Sequence, residues 1–220
     1  SMSFDQAYIE GISSLDAADI RYAEQLGYRI KLLGITKRTA EGVELRVHPT
    51  LIPARRLIAN VEGAMNAVLV KGDAVGATLY YGKGAGAEPT ASAVIADLVD
   101  VTRMHTADPE HRVPHLAFQP GAMVDLAILP MADVVTSYYL RLRVDDRPAV
   151  LADVTRILAD DGISIVAMIQ REPGEGEEQT DIIMLTHKTR ERNIDTAIAG
   201  IEALSAVKGR IIRLRLEELQ

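Results

Sequence analysis

The stretch Tyr138-Tyr139-Leu140-Arg141-Leu142-Arg143-Val144-Asp145-Asp146-Arg147-Pro148-Ala149-Val150-Leu151-Ala152-Asp153-Val154 changes its period part-way along. Tyr138 to Val144 alternates with period two, as a strand does, and Pro148 to Ala159 follows as a helix. Continuing outward, Ile163 to Gln170 reads as a second strand, and Glu172 to Gln179 as a hydrophilic loop with one Pro and two Gly. Asp181 to Thr186 reads as a third strand, Ile194 to Leu204 as a helix and Arg210 to Leu216 as a last strand. The order is βαββαβ, which predicts a four-stranded antiparallel sheet with both helices on one face.

Upstream, the pattern from Thr106 to Ser137 breaks down. Pro109, Pro114, Pro120 and Pro130 fall in this stretch, four of the nine prolines in the chain, which reads as a connector. Its apolar patches, Leu116 to Phe118 and Val124 to Leu129, predict that it docks on a domain. The first half reads as a small sheet with helices. Ser13 to Asp16 has capping-box spacing, and Ile20, Ala23, Leu26, Ile30 and Leu33 then predict a helix to Leu33 closed by Gly34. Ile35 to Lys37 and Val43 to Val47 read as strands around Ala40-Glu41-Gly42, ended by Pro49 and Pro53, with His48 on the polar face. Ala67 to Val70 and Ala74 to Tyr81 read as a second pair across Lys71-Gly72-Asp73. A helix with the apolar stripe Ala91, Val94, Ile95, Leu98 and Val101 follows, with Pro89 as its first residue.

A chain of 220 residues with 48% hydrophobic content holds enough apolar side chains for two ordinary domains. The formal charge of -7 is spread over interspersed acids and bases, with no basic block to neutralise a run of phosphates, so nucleic acid is not an expected partner. Cysteine is absent, which excludes disulfides, thiolate metal sites and a Cys nucleophile. No stretch reaches the roughly 18 uninterrupted apolar residues that a membrane span needs, and the expectation is a soluble cytoplasmic protein. Ser1-Met2 reads as an expression scar, with the natural chain beginning upstream.

Two segments invite ligands. In Gly82-Lys83-Gly84-Ala85-Gly86, small residues let backbone amides approach a ligand ahead of a helix start. The relaxed dinucleotide fingerprint is met by Gly82, Gly84 and Ala87, but no second parallel strand follows. The alternative is that these glycines serve packing or a tight turn. In Asp146 to Leu151, Pro148 suits a first helical turn and Asp146 an N-cap, which places free backbone donors where a small carboxylate can bind. The alternative is that the two residues only cap the helix. The five histidines form no metal-binding spacing, and no serine elbow or acid pair for acid–base work appears.

The residues Phe4-Asp5-Gln6-Ala7-Tyr8-Ile9-Glu10-Gly11-Ile12, Tyr22-Ala23-Glu24 and Leu26 to Ile35, with Tyr81-Gly82-Lys83-Gly84-Ala85-Gly86-Ala87-Glu88-Pro89-Thr90-Ala91-Ser92-Ala93-Val94 and Asp97, resemble the later part of homoserine dehydrogenase substrate domains. Tyr138 to Arg141, Asp146-Arg147-Pro148, Gly162 to Ile165 and Met168-Ile169-Gln170 resemble the ACT domain that follows in bacterial enzymes. The resemblance implies an α+β chain: a truncated substrate and dimerisation domain over 1–105, a mixed sheet with helices; a connector over 106–137; and a ferredoxin-like ACT domain over 138–220. The family reduces aspartate semialdehyde to homoserine with NADP or NAD, on the route to threonine, methionine and isoleucine. Its Rossmann domain and catalytic residues precede Phe4, so the fragment is expected to be inactive and to bind no cofactor by itself.

Residue by residue, the resemblance places Gly84, Ala85 and Gly86 beside the cofactor of the full enzyme. It assigns Asp146, Arg147, Ala149, Val150, Leu151 and Gln170 to a regulatory amino acid, L-threonine by analogy. The family pattern usually carries glycine where this chain has Ala149, and the added methyl narrows backbone approach. A homodimer is implied, with no metal. The competing reading is a stand-alone amino-acid sensor whose amino-terminal half serves oligomerisation.

Overall fold

The computed structural model describes residues 3–106, 121, 124–171 and 176–219. In chain order the elements are β1 (Tyr8–Ile9), α1 (Ala17–Gln25), β2 (Tyr28–Arg38), β3 (Val43–Pro53), β4 (Met65–Gly72), β5 (Gly76–Lys83) and α2 (Ala87–Thr106). They continue as β6 (Val135–Asp145), α3 (Val150–Asp160), β7 (Ile165–Gln170), β8 (Gln179–Thr186), β9 (Thr189–Arg190), α4 (Glu191–Glu202) and β10 (Val207–Leu216).

The βαββαβ reading holds. β7, β8, β6 and β10 lie in that order, each antiparallel to its neighbour. Tyr138, Leu140 and Leu142 of β6, with Ile182 and Met184 of β8, pack against Val154 and Leu158 of α3 and Ile194, Ala197 and Ile201 of α4. The period-two spacing that made β6 legible therefore selects the buried face. The two-residue β9, not expected from the sequence, pairs with the start of β6.

The chain forms two compact units. One unit joins the residues up to Arg55 to those from Leu126 onward, and Arg56–Asp125 forms the other. The joint is a short parallel pairing of β3 with β10, Thr50 opposite Arg215 and Leu51 opposite Leu216, so one eight-stranded sheet carries both ends of the chain. Pairing between strands so far apart leaves no local sequence signal. On the face away from α3 and α4, α1 covers this sheet: Tyr22 and Ala23 pack with Leu51, Tyr139, Ile183, Leu185, Leu214 and Leu216.

Several expected elements differ in extent. The helix expected to reach Leu33 stops at Gln25, and the chain turns at Leu26-Gly27 into β2, where Tyr28 and Ile30 pack against the sheet. The apolar spacing of Ile30 and Leu33 suits either period over so short a run. The capping box lies three residues later than Ser13–Asp16: Asp16 is the N-cap, accepting from Ala18 N at 2.6 Å, and Asp19 closes the box. Pro49 does not end β3, which runs to Pro53 with Pro49 opposite Leu32. Pro89 is the third residue of α2, not the first.

In the connector, Leu116 to Phe118 lie outside the described residues, as do His111, His115 and residues 172–175 of the expected loop. Val124 to Leu129 are described, and here the chain docks: Val43 N donates to Ala127 O, and Leu129 N to Val43 O, both at 2.8 Å. Gly42 permits this approach, since a Cβ there would stand 2.7 Å from Ala127 O. In the unit Arg56–Asp125, β4 and β5 form an antiparallel hairpin. The stripe of α2 residues Val94, Ile95, Leu98 and Val101 is exposed, as are Val68, Val70, Tyr80 and Tyr81 of the hairpin. No helix among the described residues is long and apolar enough to cross a membrane.

Candidate functional site

β6 ends at Asp145, and the chain crosses Asp146, Arg147 and Pro148 before α3 begins at Val150. Asp146 N donates to Glu178 O at 2.9 Å and Arg147 N to Asp145 O at 3.0 Å. Asp146 is therefore not the helix cap, contrary to the expectation, and Pro148 is not its first residue; Ala149 occupies the N-cap with no side-chain hydrogen bond. Its carbonyl accepts from Asp153 N at 2.9 Å. The N–H groups of Val150, Leu151 and Ala152 precede any intrahelical acceptor and find none elsewhere among the described residues.

Val150 and Leu151, which carry the first two of these donors, line a cavity of about 420 Å³. All six residues expected to serve a regulatory ligand, Asp146, Arg147, Ala149, Val150, Leu151 and Gln170, line it, together with Val144, Asp145, Pro148 and Ile182. Gln170 enters from β7, where it lies opposite Ile182 of β8, and Ile182 in turn lies opposite Leu142 of β6. Three neighbouring strands thus present one wall. Sequence reasoning missed Val144, Asp145 and Ile182 as lining residues; alternation from Leu142 points to Val144 and Asp145 adjoins the motif, whereas Ile182 needs the register of β8. Asp145 Oδ2 is held by Lys208 Nζ at 3.0 Å. A second cavity, about 610 Å³, shares Asp145, Asp146 and Arg147 and is walled by Glu177, Glu178, Gln179 and Lys208.

Chemically the first cavity combines unpaired backbone donors at the positive end of a helix with a carboxylate, a guanidinium and an aliphatic wall. Backbone N–H groups suit a carboxylate, Asp146 suits an ammonium, and Val144, Leu151 and Ile182 suit a short aliphatic side chain. No residue there is placed as nucleophile or general base.

The Gly82 to Gly86 segment lies in the other unit. Gly82 and Lys83 end β5, and Gly84, Ala85 and Gly86 form an exposed loop into α2. A Cβ on Gly84 would stand 2.9 Å from Asn66 Nδ2, and Gly86 has φ +121°. Packing and turn geometry thus give both glycines a structural reason, while the loop stays open in front of the α2 amides.

The most strongly perturbed groups lie elsewhere. Glu44, Arg46, His48 and Thr50, the polar face of β3, are buried, so the polar face on which His48 is expected is not a solvent face. Ion pairing makes this possible. Arg46 Nε donates to Glu44 Oε2 at 3.1 Å, and Arg46 Nη2 donates to Glu217. Arg46 Nη1 lies 2.7 Å from His48 Nε2; a guanidinium only donates, so Nε2 accepts and Nδ1 carries the proton, 3.1 Å from Pro49 O. Burial, reinforced by the charges of Arg215 and Arg46, holds His48 down at about 4. Alongside, the buried Arg215 donates to Glu191 Oε2 at 2.9 Å, Glu10 Oε2 at 2.8 Å and Tyr8 Oη at 3.1 Å. Burial alone would raise Glu10, but hydrogen bonds from Arg215 and Tyr8 outweigh it and hold the carboxyl below its usual range. This network ties β1 and β3 to β10 and α4.

With this geometry in place, the comparisons with known proteins are decisive. Residues 1–99 match the sequence pattern of the family described as homoserine dehydrogenase, and residues 138–206 match that of the ACT domain. The crystal structure of a homoserine dehydrogenase from Thiobacillus denitrificans superposes with a TM-score of 0.91 at 69% identity, covering 100% of this chain and 49% of that one.

The chain matches the carboxy-terminal half of homoserine dehydrogenases.

Homoserine dehydrogenases of Pseudomonas aeruginosa and Neisseria gonorrhoeae are 57% and 55% identical over 99% of the chain and 50% of their own lengths. The chain therefore spans about half the length of the relatives it matches. The Staphylococcus aureus homoserine dehydrogenase at pH 7.5, at 24% identity and a TM-score of 0.61, shares the fold. The cavity at the start of α3 lies within the stretch matching the ACT domain, and the glycine loop within the stretch matching homoserine dehydrogenase.

Proposed function

We propose that this chain is the carboxy-terminal half of an NADP- or NAD-dependent homoserine dehydrogenase, the enzyme that interconverts L-aspartate 4-semialdehyde and L-homoserine. Residues 1–105 contribute to its substrate and dimerisation domain, 106–137 connect, and 138–220 form the ACT regulatory domain. The full enzyme works in the cytoplasm as a homodimer, on the route to threonine, methionine and isoleucine. Gly84, Ala85 and Gly86 border the cofactor there, and the α2 amides behind the loop supply donors. The chain alone binds no cofactor and has no turnover, since the hydride-transfer residues belong to the other half.

The cavity of the ACT stretch takes a small amino acid, L-threonine first. One observation carries this reading: six residues from two distant segments surround a single cavity in which unpaired amides, Asp146, Arg147 and an aliphatic wall meet the three parts of an α-amino acid. Calorimetric titration with L-threonine, L-serine and L-isoleucine tests it. Saturable, threonine-selective binding that weakens about tenfold or more in Gln170→Ala or Asp146→Asn is the expected result. A folded chain that binds none of the three, and gains no binding with Ala149→Gly, ends the amino-acid reading. Measurable homoserine oxidation by the purified chain would overturn the assignment of catalysis to the other half.

A further inference from the structure

The turn that opens α3 carries a side chain where the backbone is left-handed. Ala149 has φ +73° and ψ -15°, and the one other non-glycine residue with positive φ among the described residues is Leu219, in the tail after β10. This conformation brings a Cβ too close to the following carbonyl, so alanine adopts it at a cost that glycine escapes. Alanine is also among the poorest N-cap residues, and Ala149 makes no side-chain hydrogen bond there. Two independent local preferences thus oppose alanine at the position whose carbonyl accepts the first helical hydrogen bond.

The same residue lines the cavity and is exposed to it. It directly precedes Val150 and Leu151, whose N–H groups lack acceptors among the described residues. Its methyl group therefore stands on the turn that a ligand carboxylate must approach, and glycine would present the same donors without it. We propose that Ala149 is the affinity-limiting residue of this cavity. Its methyl weakens amino-acid binding, so the site fills only at higher ligand concentration than the same turn built with glycine. The inference rests on the reading of the cavity as an amino-acid site.

Ala149→Gly and Ala149→Ser, each titrated with L-threonine, L-serine and L-isoleucine and melted without ligand, provide the test. Ala149→Gly is expected to raise the melting temperature and to bind the preferred amino acid about fivefold tighter or more, because even one carbon in a binding pocket shifts affinity by about this much. Ala149→Ser keeps a Cβ and is expected to bind no tighter than the parent. If the parent binds and Ala149→Gly binds equally or more weakly, the amino-acid reading stands and the role of Ala149 is overturned, even where the melting temperature rises. Binding by Ala149→Gly alone supports the proposal. If neither binds while both unfold cooperatively, the amino-acid reading falls and takes the inference with it.

Discussion

Arg215 and Glu191 form a buried ion pair across the seam between the last strand and the last helix, with the arginine fully out of solvent and the glutamate 3% exposed. Tyr138 Oη adds a third member, donating to Glu191 Oε2 at 2.8 Å, and Glu10 caps the other side of the guanidinium. The pair therefore holds β1, β6, β10 and α4 to one geometry.

Removing one partner strands a charge in a dry interior. Arg215→Met is expected to cost about 3–5 kcal/mol in urea denaturation. Adding Glu191→Gln removes the buried carboxylate that would be left with Arg213 as its ionic partner, so the double variant is expected to be less destabilised than the sum of the singles. Strict additivity would show that the two side chains do not act as a pair.

Asp19 is buried and accepts from Arg141 Nε at 2.7 Å and Tyr139 Oη at 3.1 Å. Asp19→Asn keeps the shape and loses the charge, and a destabilisation of about 2–4 kcal/mol is expected. Hydrogen exchange should accelerate first in α1, the helix this contact pins. Uniform acceleration along the chain would place the loss elsewhere.

His48 governs stability in mild acid. Its ordinary value of 6.5 is held at about 4 in the fold, so between these limits the unfolded chain binds the extra proton and the folded one does not. Stability present above about pH 6.5 is therefore lost as pH falls toward 4, by about 1–3 kcal/mol. Glu10, held low by Arg215 and Tyr8, adds its own loss below the ordinary carboxylate range. His48→Gln should flatten the slope between pH 6.5 and 4 and leave the steeper acid limb. An unchanged slope would mean that other groups set it.

Gly42 has no room for a side chain. With φ +153° and a would-be Cβ 2.7 Å from Ala127 O, Gly42→Ala is expected to cost about 2–4 kcal/mol. The contact of Val43 with Ala127 and Leu129 should open with it. Equal thermal stability of variant and parent would show that the connector yields instead.

The βαββαβ half was legible because alternation in Tyr138 to Val144 coincides with burial: one face meets α3 and α4, and the period reports it. β3 shows the opposite case. Its apolar residues Val43, Leu45 and Val47 alternate with polar ones, yet Glu44, Arg46, His48 and Thr50 are the more deeply buried set, since mutual ion pairing substitutes for water in a way no one-residue scale registers. The amino-terminal helix was read too long because Ile30 and Leu33 fit both periods, and the winning contacts belong to β3. The cavity-lining residues at the start of α3 were legible through one local motif. Ile182 was not, because its place depends on the register between β8 and its neighbours.

The placement of α1 on the far face of the sheet bears on descent. Residues 138–220 taken alone would leave Tyr139, Ile183 and Leu214 bare and Arg141 without Asp19, so this half of the sheet is not self-sufficient. Its transfer to another chain would require the amino-terminal helix in tow, since α1 is what covers that face.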